Sequence, residues 1–342
     1  MIASEPTELI INDSFVELPT LVPHAKTFLK LEGHSLTGSI KVKVAISMLE
    51  QLEAAGKLQS GGSVIESSSG NLGLALAMVC SVKNYQFTCV SDPNISSQTA
   101  KMIRAYGARL IIVEEQDANG GYLGSRIKLI RDLMAKNPSL VWTNQYENHH
   151  NVRAHFEFTA PQLLKSIGKI DFLFVGAGTT GTLGGVSQFF RLHSPATTVV
   201  AVDSCGSVTF GKAPGKRYIP GLGTSQPPLI RRESDFDDLL MIEESDTVQM
   251  CHYLAKRGLL LGGSTGTVLC AVHQYSSLIP KCAVVAAISP DFGDRYVETI
   301  YNFDWVKSHF PELPLEQLGL SLPASRVFTQ SQAGKMQQLA GS

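Results

Sequence analysis

The chain has 342 residues, 44% hydrophobic and 17% charged, with 29 lysines and arginines against 30 aspartates and glutamates. This is the composition of a globular protein with enough apolar material for one large core or two ordinary ones. A formal charge of −1 carries no electrostatic signature of nucleic-acid or anionic-membrane partners. No apolar run approaches the roughly 20 residues of a membrane helix, and the segment after Met1 lacks the basic-then-apolar pattern of a secretory signal. Six scattered cysteines (Cys80, Cys89, Cys205, Cys251, Cys270 and Cys282) form no CxxC pair and read as buried, reduced thiols of a cytoplasmic protein.

From Lys41 onward, short apolar runs alternate with helical patterns. A helix over Lys41–Leu58 precedes a strand at Val64–Glu66 and a helix over Leu72–Val82. Strand Gln86–Val90, helix Ser96–Tyr106, strand Leu110–Val113, helix Tyr122–Ala135 and a strand near Val141–Asn144 follow. The pattern resumes with strand Phe172–Val175, helix Thr182–Leu192, strand Thr198–Val202 and, later, strand Ala283–Ile288. Near-continuous apolar strands such as Phe172-Leu173-Phe174-Val175 suit a parallel sheet covered on both faces, so the alternation predicts a doubly wound α/β architecture. The Gly- and Pro-rich stretch from Cys205 to Pro228 reads as an ordered excursion near a site. The small, polar residues 321–342 read as a flexible tail.

Three small-residue segments open predicted helices. Leu36-Thr37-Gly38-Ser39-Ile40 leads into Lys41, whose amine would lose its proton more readily if the helix start buries it. Ser67-Ser68-Ser69-Gly70-Asn71-Leu72-Gly73 presents hydroxyls and backbone N–H groups where a helix N-terminus can hold a carboxylate or phosphate; taken by itself, such a loop is better read as an ordinary N-cap. Gly176-Ala177-Gly178-Thr179-Thr180-Gly181-Thr182 joins a buried strand to a helix. It matches the dinucleotide fingerprint GxGxxG, with Asp203 standing where that fingerprint places its ribose-binding acid. Its threonines favour one terminal phosphate over a pyrophosphate, and a dinucleotide site would leave Lys41 and Ser67–Gly73 unused. A lysine amine, an anion loop and a phosphate loop in this order point to a Schiff-base cofactor, pyridoxal 5′-phosphate. Gly262-Gly263-Ser264-Thr265-Gly266 is a further small-residue turn into an apolar helix. The nine histidines show no metal spacing, His149-His150 included, so no metal site is expected.

Over about residues 15–305 these segments resemble the fold-type II pyridoxal-phosphate enzymes of the cysteine synthase family, whose architecture is that of the tryptophan synthase β-subunit. The family's lysine motif, substrate loop and phosphate loop match Thr37–Lys43, Ser68–Gly73 and Gly178–Thr182, and its pyridine-side turn matches Gly263–Gly266. A closer resemblance is to a branch that serves 2,3-diaminopropionate biosynthesis for siderophores and peptide natural products. It is carried by Glu66–Gly73, Asp117–Leu123, Asn144-Gln145-Tyr146, Val202–Val208 and Pro290–Tyr296. The departures are Val42-Lys43 for the usual Asp-Arg, which implies a lost or altered ion pair, and His34-Ser35-Leu36-Thr37 for the usual Asn-Pro run.

The resemblance implies O-phospho-L-serine as electrophile and the amine of L-glutamate as nucleophile. Lys41 would carry the cofactor and move the proton at Cα. Asn71 would bond the ring oxygen, Gly178, Thr179, Thr180, Gly181 and Thr182 the phosphate, and Ser264 the pyridine nitrogen. Ser68, Ser69, Gly70 and Gln145 would clamp the substrate carboxylate. Arg295, Lys216-Arg217 or Lys43 would meet the leaving phosphate, while Arg126 reads as a solvated surface charge. The implied organisation is a large domain of 1–39 and 148–320 and a small mobile domain of 40–147, with the cofactor in the cleft between them. A homodimer and a functionally linked downstream oxidative enzyme are also implied. Sulfide as the nucleophile, as in a cysteine synthase, and a non-catalytic nucleotide-binding protein are the alternatives.

Overall fold

The computed structural model describes residues 2–10, 13–117 and 120–324. Two parallel-type sheets organise it. The first is six-stranded: β1 (Phe15–Glu17), β2 (Lys26–Leu31), β7 (Phe172–Gly176), β8 (Thr198–Ser204), β9 (Asp238–Ile242) and β10 (Val284–Ser289), in the order β1-β2-β10-β7-β8-β9. Only β1 runs antiparallel to its neighbour. The second is four-stranded: β3 (Ser63–Ser67), β4 (Gln86–Ser91), β5 (Arg109–Ile112) and β6 (Leu140–Trp142), all parallel, in the order β5-β4-β3-β6.

The two-residue period of the strands explains why helices cover both faces of each sheet. In the large sheet, Phe174, Val200, Val202, Val285 and Ala287 pack with residues of α8 (Glu244–Ala255) and α9 (Gly263–Gln274). Their neighbours Leu173, Val175, Val199, Ala201, Ala286 and Ile288 face the opposite way. They pack on α6 (Ala160–Ile167) and α7 (Gly181–His193). In the small sheet Val64, Phe87 and Cys89 meet α1 (Lys41–Ala54), α2 (Asn71–Val82) and α3 (Ser97–Ala105). Ile65 and Val90 meet Ile130 of α4 (Leu123–Lys136) on the reverse face.

In each sheet the chain doubles back at one place: between β7 and β10 in the large sheet, and between β3 and β6 in the small one. Loops leaving the carboxyl ends of strands diverge there, which opens a crevice. The loops after β7, β10 and β3 carry Gly178–Thr182, Asp291–Arg295 and Ser68–Gly73. Strand β2 pairs with β10, so the first forty residues return to the large sheet.

Leu322, within the stretch expected to form a tail, packs on the large-sheet core. The remainder, residues 325–342, lies outside the described residues, as do Ala118 and Asn119 of the segment Asp117–Leu123. The cysteine reading needs one correction. Cys80, Cys89, Cys251 and Cys270 are buried, but Cys205 is half-buried and Cys282 exposed. Cys282 occupies a left-handed turn (φ 63°) just before β10, where no core reaches it.

Candidate cofactor and substrate site

Lys41 is the first residue of α1, presented by a turn in which Gly38 takes a positive φ (66°) and Ile40 N–H donates to the Pro290 carbonyl at 2.8 Å. Among the described residues no ion pair reaches its amine. Burial pushes its pKa down to about 8, opposed by the charge of nearby Glu66, so a large share is the nucleophilic free base near neutrality. Two residues on, Lys43 points elsewhere. Its ammonium lies 2.7 and 2.9 Å from the Glu32 carboxylate oxygens, with Lys30 3.3 Å from the same carboxylate, all fully buried. The ion pair expected to be lost or altered at this turn is thus of the altered kind, and Lys43 is engaged by Glu32 rather than open to a leaving phosphate.

The Ser67–Gly73 loop caps α2 and leaves polar groups beside the cap. Ser68 Oγ accepts from Gly70 N–H at 3.2 Å and Gly73 N–H at 3.0 Å, closing the first turn of α2. A Cβ on Gly73 would stand 2.8 Å from Cys89 Sγ and 3.2 Å from Ser68 Cβ, so this turn needs glycine. Ser69 and Gly70 remain half-buried, and the Ser67 hydroxyl is buried with no hydrogen-bond partner. Asn71 opens α2 with both ends of its amide engaged. Nδ2 donates to Asp291 at 2.7 Å, and Oδ1 accepts from Arg295. Arg295 also donates to the Thr37 carbonyl, and Asp291 accepts from the Tyr296 hydroxyl at 2.5 Å. Arg295 thus stitches the lysine turn to the substrate loop, which corrects its expected role as a free cation.

The Gly178–Thr182 loop is built for close approach. A Cβ on Gly178 would meet the Gly221 carbonyl oxygen at 2.7 Å, and one on Gly181 would meet Asn151 Oδ1 at 2.1 Å. Thr180 sits in the left-handed region (φ 69°), a strained conformation for a β-branched residue. Its hydroxyl is buried without a partner at the N-terminus of the 13-residue α7. Asn151 Nδ2 donates to Thr179 Oγ1 at 2.9 Å, and Thr182 Oγ1 lies 3.2 Å from His155 Nε2. Ser264, buried in the first turn of α9, lies across Gly221 from Gly178. An unpartnered amine, an orphaned hydroxyl at a helix N-terminus and a second hydroxyl beyond them fit a cofactor with an aldehyde, a phosphate and a ring nitrogen.

Sequence reasoning missed the groups behind these loops. Glu66 is fully buried and accepts from Ser67 N–H (2.6 Å), Thr143 Oγ1 (2.6 Å), Trp142 Nε1 (3.1 Å) and Gln145 N–H (3.1 Å), although burial raises its pKa. Gln145 is drawn to the loop by its Nε2 bond to the Ser67 carbonyl (2.9 Å), and Asn151 holds the Gln145 carbonyl at 2.8 Å. Arg126 is the clearest correction. Rather than solvated, it is buried, 3.3 Å from Asp92, with Nε unpartnered, and its charge acts on Tyr146. Among the other expected cations, Arg217 donates to the Leu222 carbonyl at 2.9 Å and Lys216 lies 4.8 Å over the Tyr218 ring. Asp203 is fully buried among Ser207, Thr209 and Arg217, and burial raises its pKa to about 6.

A family profile described as pyridoxal-phosphate dependent enzyme matches residues 6–291. The chain belongs to this family. It is an enzyme of the pyridoxal-phosphate-dependent type, and the reading as a non-catalytic nucleotide-binding protein falls with that match. The chain is 37% identical over 310 residues to the N-(2-amino-2-carboxyethyl)-L-glutamate synthase of Ralstonia nicotianae, covering 90% of this chain and 92% of that one. Among solved structures it is similar to O-ureido-L-serine synthase (TM-score 0.81, 28% identity, 94% of this chain and 100% of that one). It is also similar to the O-acetylserine-dependent cystathionine β-synthase of Helicobacter pylori (TM-score 0.82, 26% identity, 88% and 100%). Among the described residues no helix is long and apolar enough to cross a membrane.

Proposed function

We propose that the chain replaces the phosphate of O-phospho-L-serine with the amine of L-glutamate, giving N-(2-amino-2-carboxyethyl)-L-glutamate. The observation that carries the substrate choice is Arg126, a buried guanidinium with an unpartnered Nε. It stands beside Tyr146, next in the chain to Gln145. A phosphate leaving group is a dianion and needs a cation, whereas an acetate ester does not. Lys43 and Arg295 are held by Glu32, Asn71 and Thr37, whereas Arg126, although paired with Asp92 through Nη1 at 3.3 Å, keeps its Nε unpartnered.

Pyridoxal 5′-phosphate, when bound, supplies the electron sink that makes the substrate Cα proton acidic. Lys41 holds the cofactor, and its amine then takes the Cα proton and returns it after the new C–N bond forms at Cβ. Asn71, Ser264 and the Gly178–Thr182 loop hold ring oxygen, ring nitrogen and phosphate, the last with the dipole of α7. Ser264 would offer the ring nitrogen a neutral hydroxyl rather than a carboxylate. Ser68 through Gly70 present N–H groups and a hydroxyl to the α-carboxylate, oriented by Gln145 from behind. A unit of residues 40–147 closes on one of 1–39 and 148–320 and excludes water. The same reading carries a cytoplasmic homodimer whose product is consumed by an oxidative step, in siderophore or natural-product biosynthesis.

The test offers the holoenzyme O-phospho-L-serine or O-acetyl-L-serine with glutamate or sulfide, and identifies products by mass. Arg126→Met should lower turnover of phosphoserine ten- to hundredfold, the worth of a charge-assisted contact of about 1.5–3 kcal/mol, and leave acetylserine within a few-fold. Faster product formation with sulfide would establish the cysteine synthase alternative, which Leu72, where those enzymes carry threonine, argues against. Equal loss with both serine esters would remove Arg126 from the leaving-group site.

A further inference from the structure

Behind the phosphate loop runs one continuous buried chain of side chains. Lys43 Nζ lies 3.4 Å from Thr159 Oγ1, which lies 3.1 Å from His155 Nδ1, and His155 Nε2 lies 3.2 Å from Thr182 Oγ1. Lys43, Thr159 and His155 are at most 1% exposed. His155 and Thr159 bound a single π-helical turn between α5 (His150–Ala154) and α6, and such turns accompany functional sites.

The chain has a direction. An ammonium can only donate, so the Lys43–Thr159 bond makes Thr159 Oγ1 an acceptor. Its own proton then has one acceptor among its described neighbours, His155 Nδ1. Burial and the charges of Lys41 and Lys43 hold His155 well below the ordinary histidine pKa, so it is neutral and carries a single N–H. With Nδ1 accepting, that N–H is on Nε2 and donates to Thr182 Oγ1. The opposite tautomer would leave the Thr159 proton buried without an acceptor. It would also draw the Thr182 proton back towards the histidine.

We propose that Lys43, Thr159 and His155 form a polarised hydrogen-bond relay that fixes His155 as its Nε2–H tautomer and makes Thr182 an obligate donor to the anion bound in Gly178–Thr182. Lys43 and His155 are then positioning residues for the cofactor's phosphate, which gives the lysine that replaces the family's arginine a role in this chain. The inference rests on Gly178–Thr182 being the phosphate loop, and the experiment separates the two.

In wild-type holoenzyme labelled with 15N-histidine, long-range proton–nitrogen correlation should show His155, assigned by its loss in His155→Asn, protonated on Nε2 and bare on Nδ1. Protonation on Nδ1, or on both nitrogens, overturns the relay. Equilibrium binding to the apoenzyme is then compared for pyridoxal phosphate and pyridoxal, which share the aldehyde and differ by the phosphate. His155→Leu should weaken the first about tenfold and the second less than twofold, while His155→Gln, which keeps a donor near Nε2, restores most of the loss. Equal weakening of both ligands, or of neither, overturns the proposal. Thr180→Val, in the loop but outside the relay, must also weaken only pyridoxal phosphate. If it does not, the loop assignment fails and the proposal with it. If it does while His155 is the Nδ1–H tautomer, the relay alone fails.

Discussion

Replacing Glu32 with glutamine should unfold this protein more readily than almost any other isosteric change. The carboxylate is fully buried and contacts two ammonium groups, Lys43 at 2.7 Å and Lys30 at 3.3 Å. Each contact is worth roughly 5 kcal/mol of Coulomb attraction at an effective dielectric near 20. Desolvation already lowers the pKa of both lysines, so in Glu32→Gln one of them can shed its proton and cap the damage. The net cost should be about 3–5 kcal/mol, the usual result of removing one partner from a buried pair. Urea denaturation of the apoenzyme at pH 7 measures it. Combining Glu32→Gln with Lys43→Met should cost at least about 1.5 kcal/mol less than the sum of the single changes, because the second removes a charge the first has stranded. The sign of the pH effect follows from the lowered lysine pKa values. Between the lowered folded-state pKa and 10.5 the unfolded chain binds more protons than the folded one, so stability rises with pH there, and the Glu32→Gln deficit should shrink as the solution becomes alkaline. A deficit under about 1 kcal/mol, or single changes that add within about 0.5 kcal/mol, would refute this account of the cluster.

With its pKa near 8, the Lys41 amine of the apoenzyme is about one-quarter neutral at pH 7.5, against roughly 0.1% for an ordinary lysine. Competitive acylation followed by peptide mapping should therefore find it the fastest-reacting lysine, with a rate that rises through pH 8 and then levels. A midpoint above pH 10 would contradict its burial. Asp203, raised from 3.8 to about 6 by burial, binds its proton more tightly folded than unfolded. It should withdraw about 3 kcal/mol of stability as pH rises through that window. Urea titrations of wild type and Asp203→Asn at pH 4 and 7 should differ by this amount, and parallel curves would refute it. A Cβ on Gly185 would stand 2.2 Å from the Val152 carbonyl oxygen and 2.6 Å from Phe156 N. Gly185→Ala should therefore lower stability by about 1–3 kcal/mol as α7 is pushed off the π turn, and an unchanged denaturation midpoint would refute that contact.

The strands and helices that the sequence exposes are those whose burial is uniform or strictly periodic. Phe172–Gly176 and Thr198–Ser204 are apolar on both faces because helices cover both, and nothing else produces such runs. Strand β2 stays hidden because Lys30, fully buried against Glu32, breaks its apolar pattern with a charge. β1 is only three residues long and gains its definition from pairing with β2. Of the site, Lys41, Asn71, Ser264 and the Gly178–Thr182 loop are legible because each sits in a local run of small residues before a helix. Arg126, read as solvated, and Lys43, read as open to the leaving phosphate, are misread for one reason: the partner of a charge is not visible in local sequence. Their partners, Asp92 and Glu32, lie on other elements that only the fold brings near. Arg295 is misread in the reverse sense, because Asn71 and Thr37 already occupy N–H donors that its position offered.

A common physical logic connects these misreadings. The loops at the strand ends must hold hydroxyls and N–H groups in fixed directions while remaining open to a ligand, so they cannot be fixed by packing against each other. Their rigidity comes from a layer of buried polar groups one residue deeper. Glu66 gathers the ends of β3 and β6, Asn151 ties Gln145 to Thr179, His155 ties the π turn to Thr182, and Asp291 with Arg295 ties the large sheet to Asn71. Burying such groups is costly in a protein that apolar packing alone could stabilise. Their burial is accounted for by the precision they impose, since a carboxylate or amide satisfied by three or four partners admits one orientation where an apolar side chain admits several. The same principle places the strained Thr180 at the centre of the Gly178–Thr182 loop: its left-handed backbone persists where the surrounding structure over-determines it. Positions of this kind are specified by contacts between elements, which is why a reading of local pattern finds the loops of the site before it finds what holds them.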